Sequence, residues 1–313
     1  MTTSSPMPFP ADVQLSEEVR EARAAGIPVV ALESTLIAHG FPRPRNLEVA
    51  LELESIVRKN GACPATIALF DGTPYIGLTE DQLERITGSP AIRKLGLRDL
   101  AVAMAKKTTG ATTVSSTAFL AAGAGIRVFG TGGLGGVHRG WQESWDESAD
   151  LFALSGTRIT IVSAGVKSIL DISATLQRLE TLNVTVVGYG TDEFPGFYLH
   201  SSGLRLDWRV DSPKDVAEVM RYQDALGLTT ALVVARPVEI ESQLDPDLHD
   251  EVLAEALAAS EADSVTGQAL TPYLLEYMAS GTGGASLEAN LTAVRGNCAL
   301  AAEIASTWQQ FRG

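Results

Sequence analysis

The residues of this chain best suited to chemistry lie in one stretch, Gly130-Thr131-Gly132-Gly133-Leu134-Gly135-Gly136-Val137-His138-Arg139-Gly140, and in Asp146, Ser148, Asp150 and Lys167 beyond it. Five glycines in positions 130–136 would let the backbone take φ > 0 and approach a ligand closely. Successive N–H groups in such a turn can form an anion-binding concavity. A His-Arg pair, carboxylates and a lysine then follow within about one supersecondary unit, which suits a phosphorylated small molecule. Taken singly, these residues also have ordinary readings. Asp146 and Asp150 could belong to a solvated acidic face with Glu143 and Glu147, His138 could be a hydrogen-bonded loop residue, and Lys167 could flank a helix N-terminus.

Apolar runs alternate with helical patterns around that stretch. Pro28–Leu32 reads as a buried strand that ends at Glu33. Asn46–Asn60 reads as a helix closed by Gly61, with Leu47, Ala50, Leu51 and Glu54 at helical spacing. The Asp71-Gly72 pair predicts a hairpin between Ala65–Phe70 and Tyr75–Leu78, and Thr79 with Gln82 a capping box. Arg98–Lys107 reads as a helix, Ala111–Ser115 as a strand, Thr117–Gly125 as a helix, and Ile126–Gly130 as the strand feeding the glycines. Beyond them the pattern predicts strands at Arg158–Ser163, Val184–Gly190 and Thr229–Ala235, and helices at Ser168–Thr181, Asp211–Leu226 and Ser286–Gln310. This order predicts a three-layer α/β/α sandwich with a mixed, largely parallel sheet. Residues 1–13, rich in Ser, Thr and Pro, read as a disordered tail, and 14–313 as a single domain. Ligands gather beyond the carboxyl ends of such strands, where Glu33, Ser115, Thr131, Ala164 and Gly190 are expected.

Composition narrows the class. The 313 residues carry 24 Lys and Arg against 38 Asp and Glu, a net charge of -14, which argues against a nucleic-acid surface. A few buried cations can still make a positive pocket in an acidic protein. Cys63 and Cys298 are too far apart for a disulfide framework and suggest no zinc site. With no signal peptide visible and no run long enough to span a membrane, the expected location is the cytoplasm. Gly130–Gly135 formally fits the dinucleotide pattern G-x-G-x-x-G. That reading needs a helix at the loop and an acid after the next strand. Here the loop runs into Val137-His138-Arg139-Gly140-Trp141, and the next strand ends Val162-Ser163-Ala164-Gly165.

Laid together, several segments resemble the pseudouridine-5'-phosphate glycosidases, also called the indigoidine-synthase-A-like family. They are Val30 to Gly40 (VALESTLIAHG), Gly110 to Val114, the glycine loop through Leu151, Ser163 to Asp171 (SAGVKSILD), and Gly281 through Asn290. The resemblance implies reversible cleavage of the C–C bond between uracil and ribose 5-phosphate, with one Mn²⁺ per subunit, in a homotrimer. It places Lys167 as nucleophile and Glu33 as proton donor. Asp146 falls at the metal position. Lys94, Val114, Ser148, Ala149 and Asp150 fall at substrate-binding positions, with Thr131, His138 and Asn290 in matching motifs.

These types suit a C-glycoside, which offers no leaving oxygen for an ordinary glycosidase to protonate. Once the ribose ring opens, an amine can add at C1' and hold the cation as an iminium, which a carboxylate cannot do. Lys167 must then be largely neutral when it attacks, and Glu33 must keep a proton beside its apolar run. Arg236 and Gly296 depart from the family pattern and put the aglycone in question. The alternatives are therefore a C-glycosynthase joining ribose 5-phosphate to another aromatic acceptor, or a non-catalytic phosphosugar-binding protein. Arg43 and Arg45, which follow Glu33 closely, are candidates to reach a phosphate or a neighbouring subunit.

Overall fold

The computed structural model describes residues 13–312. Of the tail expected over 1–13, residues 1–12 lie outside the described residues, and Val13 packs half-buried against the core. The strands are β1 (Gln14–Leu15), β2 (Val29–Glu33), β3 (Cys63–Phe70), β4 (Thr73–Ile76), β5 (Arg93–Leu95), β6 (Gly110–Thr112), β7 (Val128–Gly130), β8 (Thr160–Ser163), β9 (Thr185–Tyr189), β10 (Arg209–Val210) and β11 (Leu232–Ala235). They form one 11-stranded sheet in the order β1-β4-β3-β2-β7-β8-β11-β9-β10, with β6 on β3 and β5 on β6. Only the β3–β4 and β3–β6 pairings are antiparallel.

Because side chains alternate across a strand, an unbroken apolar run buries both of its faces. In β2, Val29 and Ala31 enter one core while Val30 and Leu32 enter the other. Ile161 and Val162 of β8 divide the same way, as do Val233 and Val234 of β11. Helices Arg45–Lys59, Pro213–Leu226 and Ala285–Arg312 cover one face; Val114–Gly123, Ala149–Ser155, Pro246–Ala262 and Leu270–Gly281 help to cover the other. The expected three layers are present.

The feature that positions the site is how β3 uses its edge. Residues Cys63–Ile67 pair with β2, which ends at Glu33, while Ala68 and Leu69 pair with β6. Since β4 holds the opposite edge from Ile67 to Phe70, β6 must continue the line that β2 leaves. Ser34 closes the gap: its hydroxyl donates to the Ile67 carbonyl at 2.6 Å and accepts the Thr112 N–H at 2.9 Å. Thr35 donates to the Thr112 carbonyl at 2.8 Å. Glu33 thus stops beside β6 and β5, and Lys94 sits on β5.

Of the expected boundaries that move, two bear on the site. The strand expected over Ala111–Ser115 ends at Thr112, and Val114 opens a helix; Ser115 N–H is taken by the Asp150 carboxylate at 2.9 Å, so this contact overrides the local β-branched preference. The helix expected from Ser168 starts at Ile172, where Asp171 caps it by accepting the Ala174 N–H at 2.9 Å. The Thr79–Gln82 capping box forms as expected, with bonds of 3.3 and 3.0 Å. Thr79→Ala should cost about 1 kcal/mol. The check is a lower urea midpoint at unchanged slope; an unmoved midpoint would show the cap to be dispensable.

Candidate active site

A cavity of about 370 Å³ opens at the carboxyl end of β2 and is lined by Glu33, Lys94, Val114, His138, Asp146, Ser148, Ala149, Asp150 and Lys167. Each arrives on a different support. Glu33 ends β2, Lys94 lies in β5, and Val114 is the first residue of its helix. Ser148 caps the helix Ala149–Ser155, accepting the Asp150 N–H at 3.2 Å. Lys167 follows β8, where its own N–H donates to the Leu134 carbonyl at 3.2 Å and a parallel bridge joins Leu134 to Val166.

The glycine loop differs from its expected role as an anion cradle. None of Gly130, Gly132, Gly133, Gly135 or Gly136 takes positive φ; what they supply is space. A Cβ on Gly135 would lie 2.2 Å from Ser148 Oγ and 2.7 Å from Asp150 Oδ2, and one on Gly133 would lie 2.6 Å from the Phe197 ring. Four of the loop N–H groups are also taken up within the protein. Those of Thr131 and Leu134 go to the Val162 and Gly165 carbonyls, that of Gly135 to Asp150 Oδ2 at 3.0 Å, and that of Val137 to Thr175 Oγ1 at 2.9 Å. Asp150 therefore ties the loop to the start of the helix Val114–Gly123 through its two oxygens. The loop braces the wall, and a phosphate must look to Lys94, Lys167 and the hydroxyls of the wall.

Glu33 is 8% exposed, and burial raises its carboxyl above the usual carboxylate range; the Lys167 ammonium and a hydrogen bond from Thr131 oppose that rise. Thr131 Oγ1 donates to Glu33 Oε1 at 2.5 Å. Lys167 is the strongest of the charges acting on Glu33. Lys94 keeps solvent access through the cavity mouth, yet the surrounding protein, then the neighbouring Lys167, pull it below the usual lysine range. Burial likewise depresses His138, against the pull of Asp146, so its imidazole is neutral at pH 7. Burial thus favours the protonated form of Glu33 and the uncharged forms of Lys94 and His138.

The remaining sequence candidates fall elsewhere. Thr131 and Asn290 lie behind the wall, Asn290 with its Oδ1 2.8 Å from where a Gly132 Cβ would stand. Arg43 gives its guanidinium to the Thr87, Ser89 and Ala38 carbonyls, and Arg45, itself exposed, pairs with Glu48 at 2.6 Å; neither lines the cavity. Arg236 and Gly296 explain one another: a Cβ on Gly296 would strike the Arg236 guanidinium at 2.4 Å. Neither lines the cavity. For a metal, no group of three or more His, Cys, Asp or Glu is arranged to hold one among the described residues. A single half-buried Asp146 carboxylate on a solvent-filled wall fits a hard divalent ion that keeps several waters, and not zinc.

Comparison with known proteins places this arrangement. The family model described as indigoidine synthase A like protein matches residues 18–307. The chain belongs to the indigoidine synthase A-like family. Among relatives of this family, the pseudouridine-5'-phosphate glycosidase of Streptomyces griseus is 65% identical over 93% of this chain and 90% of its own. That of Frankia alni is 59% identical over 95% and 82%. The crystal structure of the prealnumycin C-glycosynthase AlnA in complex with ribulose 5-phosphate superposes with a TM-score of 0.90 at 33% identity, covering 97% of this chain and 99% of that one. The indigoidine synthase A-like protein of Thermotoga maritima gives 0.86 at 34% identity, covering 95% and 96%.

Sequence reasoning missed part of the wall. Thr35, Arg98, Asp99, Thr113, Ser115 and Thr271 also line the cavity. Thr35 and Thr113 lay within quoted family segments, Ser115 had been placed at a strand end where ligands gather, and Thr271 carried no signal. Two measurements test the geometry. Above the raised pKa of Glu33 its ionised form loses the stabilisation that the neutral form has, so the wild type should weaken as pH rises through that value. Glu33→Gln should escape this loss, and its melting temperature relative to wild type should climb from pH 5 to pH 9; a constant difference would deny the raised pKa. Gly135→Ala should destabilise by about 1–3 kcal/mol in denaturant titration, because its Cβ displaces Ser148 and Asp150.

Proposed function

We propose that this enzyme reversibly cleaves the C–C glycosidic bond of pseudouridine 5'-phosphate to uracil and ribose 5-phosphate. The carrying observation is that Glu33, with its raised pKa, and Lys167 share one cavity. The names of the glycosidase relatives and the pentulose phosphate in the C-glycosynthase neighbour support the same chemistry. The C1'–O4' bond breaks as O4' takes a proton and uracil N1 gives one up, leaving C1' doubly bonded to C5. The Lys167 amine, in its neutral form, adds at C1' and passes a proton back to N1, and Glu33 delivers its proton to uracil C5. The C1'–C5 bond then breaks, its electrons staying with uracil, while the lysine nitrogen forms an iminium with C1'. Water adds to the iminium and releases ribose 5-phosphate and the free amine. Neutral His138, Lys94, the Val114 end of its helix, Ser148, Ala149 and Asp150 shape the wall that holds the sugar phosphate, with Thr131 and Asn290 behind it.

Asp146 would hold one Mn²⁺ per subunit, which when bound would supply a hard positive charge to orient the phosphate side of the site. The working form in this reading is a single-domain, cytoplasmic homotrimer, and no helix among the described residues is long and apolar enough to cross a membrane. The C-glycosynthase neighbour keeps a second reading open, in which the same sugar chemistry joins ribose 5-phosphate to another aromatic acceptor. The Arg236–Gly296 pair does not favour it, since both residues stand off the cavity wall.

An ultraviolet assay of pseudouridine 5'-phosphate with Mn²⁺ separates the readings. Turnover supports the glycosidase, ribose 5-phosphate binding without uracil coupling supports the synthase, and binding without chemistry leaves a phosphosugar-binding protein. Glu33→Gln should lower kcat by about 10²–10⁴-fold while ribose 5-phosphate still binds. Borohydride with ribose 5-phosphate should leave a mass adduct on the wild type and none on Lys167→Ala; an adduct on both would move the nucleophile elsewhere.

A further inference from the structure

The long last helix, Ala285–Arg312, touches the glycine loop through Asn297. Asn297 is fully buried in mid-helix, where asparagine is a poor helix former. Its Nδ2 donates to the Thr131 carbonyl at 2.8 Å and more weakly to the Gly132 carbonyl at 3.4 Å. Its Oδ1 has no hydrogen-bond partner among the described residues. A buried half-satisfied amide is costly, and the one thing it supplies here is a donor for two loop carbonyls. On the other side of the Thr131 residue, the N–H is held by the Val162 carbonyl at 3.0 Å. Both backbone groups of Thr131 are therefore pinned, one to the sheet and one to the helix, and its hydroxyl meets Glu33 Oε1.

We propose that Asn297 is a positioning residue for the acid: by fixing the Thr131 backbone it keeps the Thr131 hydroxyl on Oε1 of Glu33 and leaves the transferable proton on Oε2. This rests on Glu33 being the proton donor. An Oε1 that accepts from Thr131 is the carbonyl oxygen of a neutral acid, so the O–H belongs to the other oxygen. The charged groups acting on Glu33 are Lys167, Asp150 and Lys94, and a change at 297 alters none of them. Loss of the Asn297 donor lets Thr131 turn and the acid proton change oxygen, with the cavity otherwise intact.

The test compares wild type with Asn297→Leu, Asn297→Ala, Thr131→Val and the Asn297→Leu/Thr131→Val double variant. Asn297→Leu removes the donor at similar volume, and Asn297→Ala removes it with a good helix former and no new charge. The expected result is a fall in kcat of roughly 10–10²-fold, with ribose 5-phosphate affinity and KM near wild type. The double variant should lose no more than Thr131→Val alone, as for residues acting in series, and the alkaline limb of the pH–kcat profile should shift alike in Asn297→Leu and Thr131→Val. Unchanged kcat, a loss confined to KM, or additive losses would overturn the proposal. Should Asn297→Leu not fold, the same criteria apply to Asn297→Ala. If the wild type itself lacks turnover, the glycosidase reading fails. Hydrogen exchange of the peptide spanning Thr131–Gly136 then decides: faster exchange in the variants supports the hold on the loop, and unaltered exchange ends it.

Discussion

One edge of β3 serves two strands in succession, and the site is arranged around that division. Where β2 stops, its last side chain is Glu33, and where β6 begins, the strand beside it carries Lys94. The backbone groups exposed by the change of partner cannot be left bare in a buried sheet. Ser34, Thr35 and Thr112 meet them with hydroxyls. The acid is thus placed by hydrogen-bond accounting in the sheet, with no contribution from a flexible loop. It stands at an interruption of the sheet, where a cavity can open without breaking either core.

The glycine loop follows the same logic of satisfaction. Its glycines permit neighbours to approach within a distance that any side chain would forbid, and the amides of Thr131, Leu134, Gly135 and Val137 are committed to carbonyls, a threonine and Asp150. Asp150 spends both of its oxygens on backbone N–H groups of the wall, so it stays fixed near Glu33, where its charge opposes ionisation of the acid.

Much of this was legible in the residues. Unbroken apolar runs gave the strands, Asp71-Gly72 the hairpin and Thr79 with Gln82 the cap, because each signal is local. The family segments drew Glu33, Lys94, Val114, His138, Asp146, Ser148 and Lys167 together before any fold was known, and all line one cavity. The failures were of another kind. That the strand would stop at Thr112 depends on Asp150, 35 residues from Ser115. That the glycines would be needed for crowding, and not for φ > 0, depends on Phe197, Thr175 and Ser148. Arg43 stands off the cavity because backbone carbonyls distant in sequence, those of Thr87 and Ser89, hold its guanidinium. Lys94, beside Arg93 on a three-residue strand too short for periodicity to reveal, was reached only through the resemblance.

The reach of the last helix bears on how the molecule comes into being. Asn297 lies 166 positions beyond the carbonyl that it holds, and Arg295 pairs with Glu52 across 243. During synthesis, the earlier strands leave the ribosome well before the helix that seals one of their faces. A nascent chain stopped short of residue 297 would carry the acid, the amine and the glycine loop, yet it would lack the donor for the Thr131 carbonyl and much of the apolar cover for Val30, Val128 and Val162. Such a chain has its reactive groups before it has a finished architecture, so competence arrives late, as a property of the whole polypeptide and not of any shorter piece.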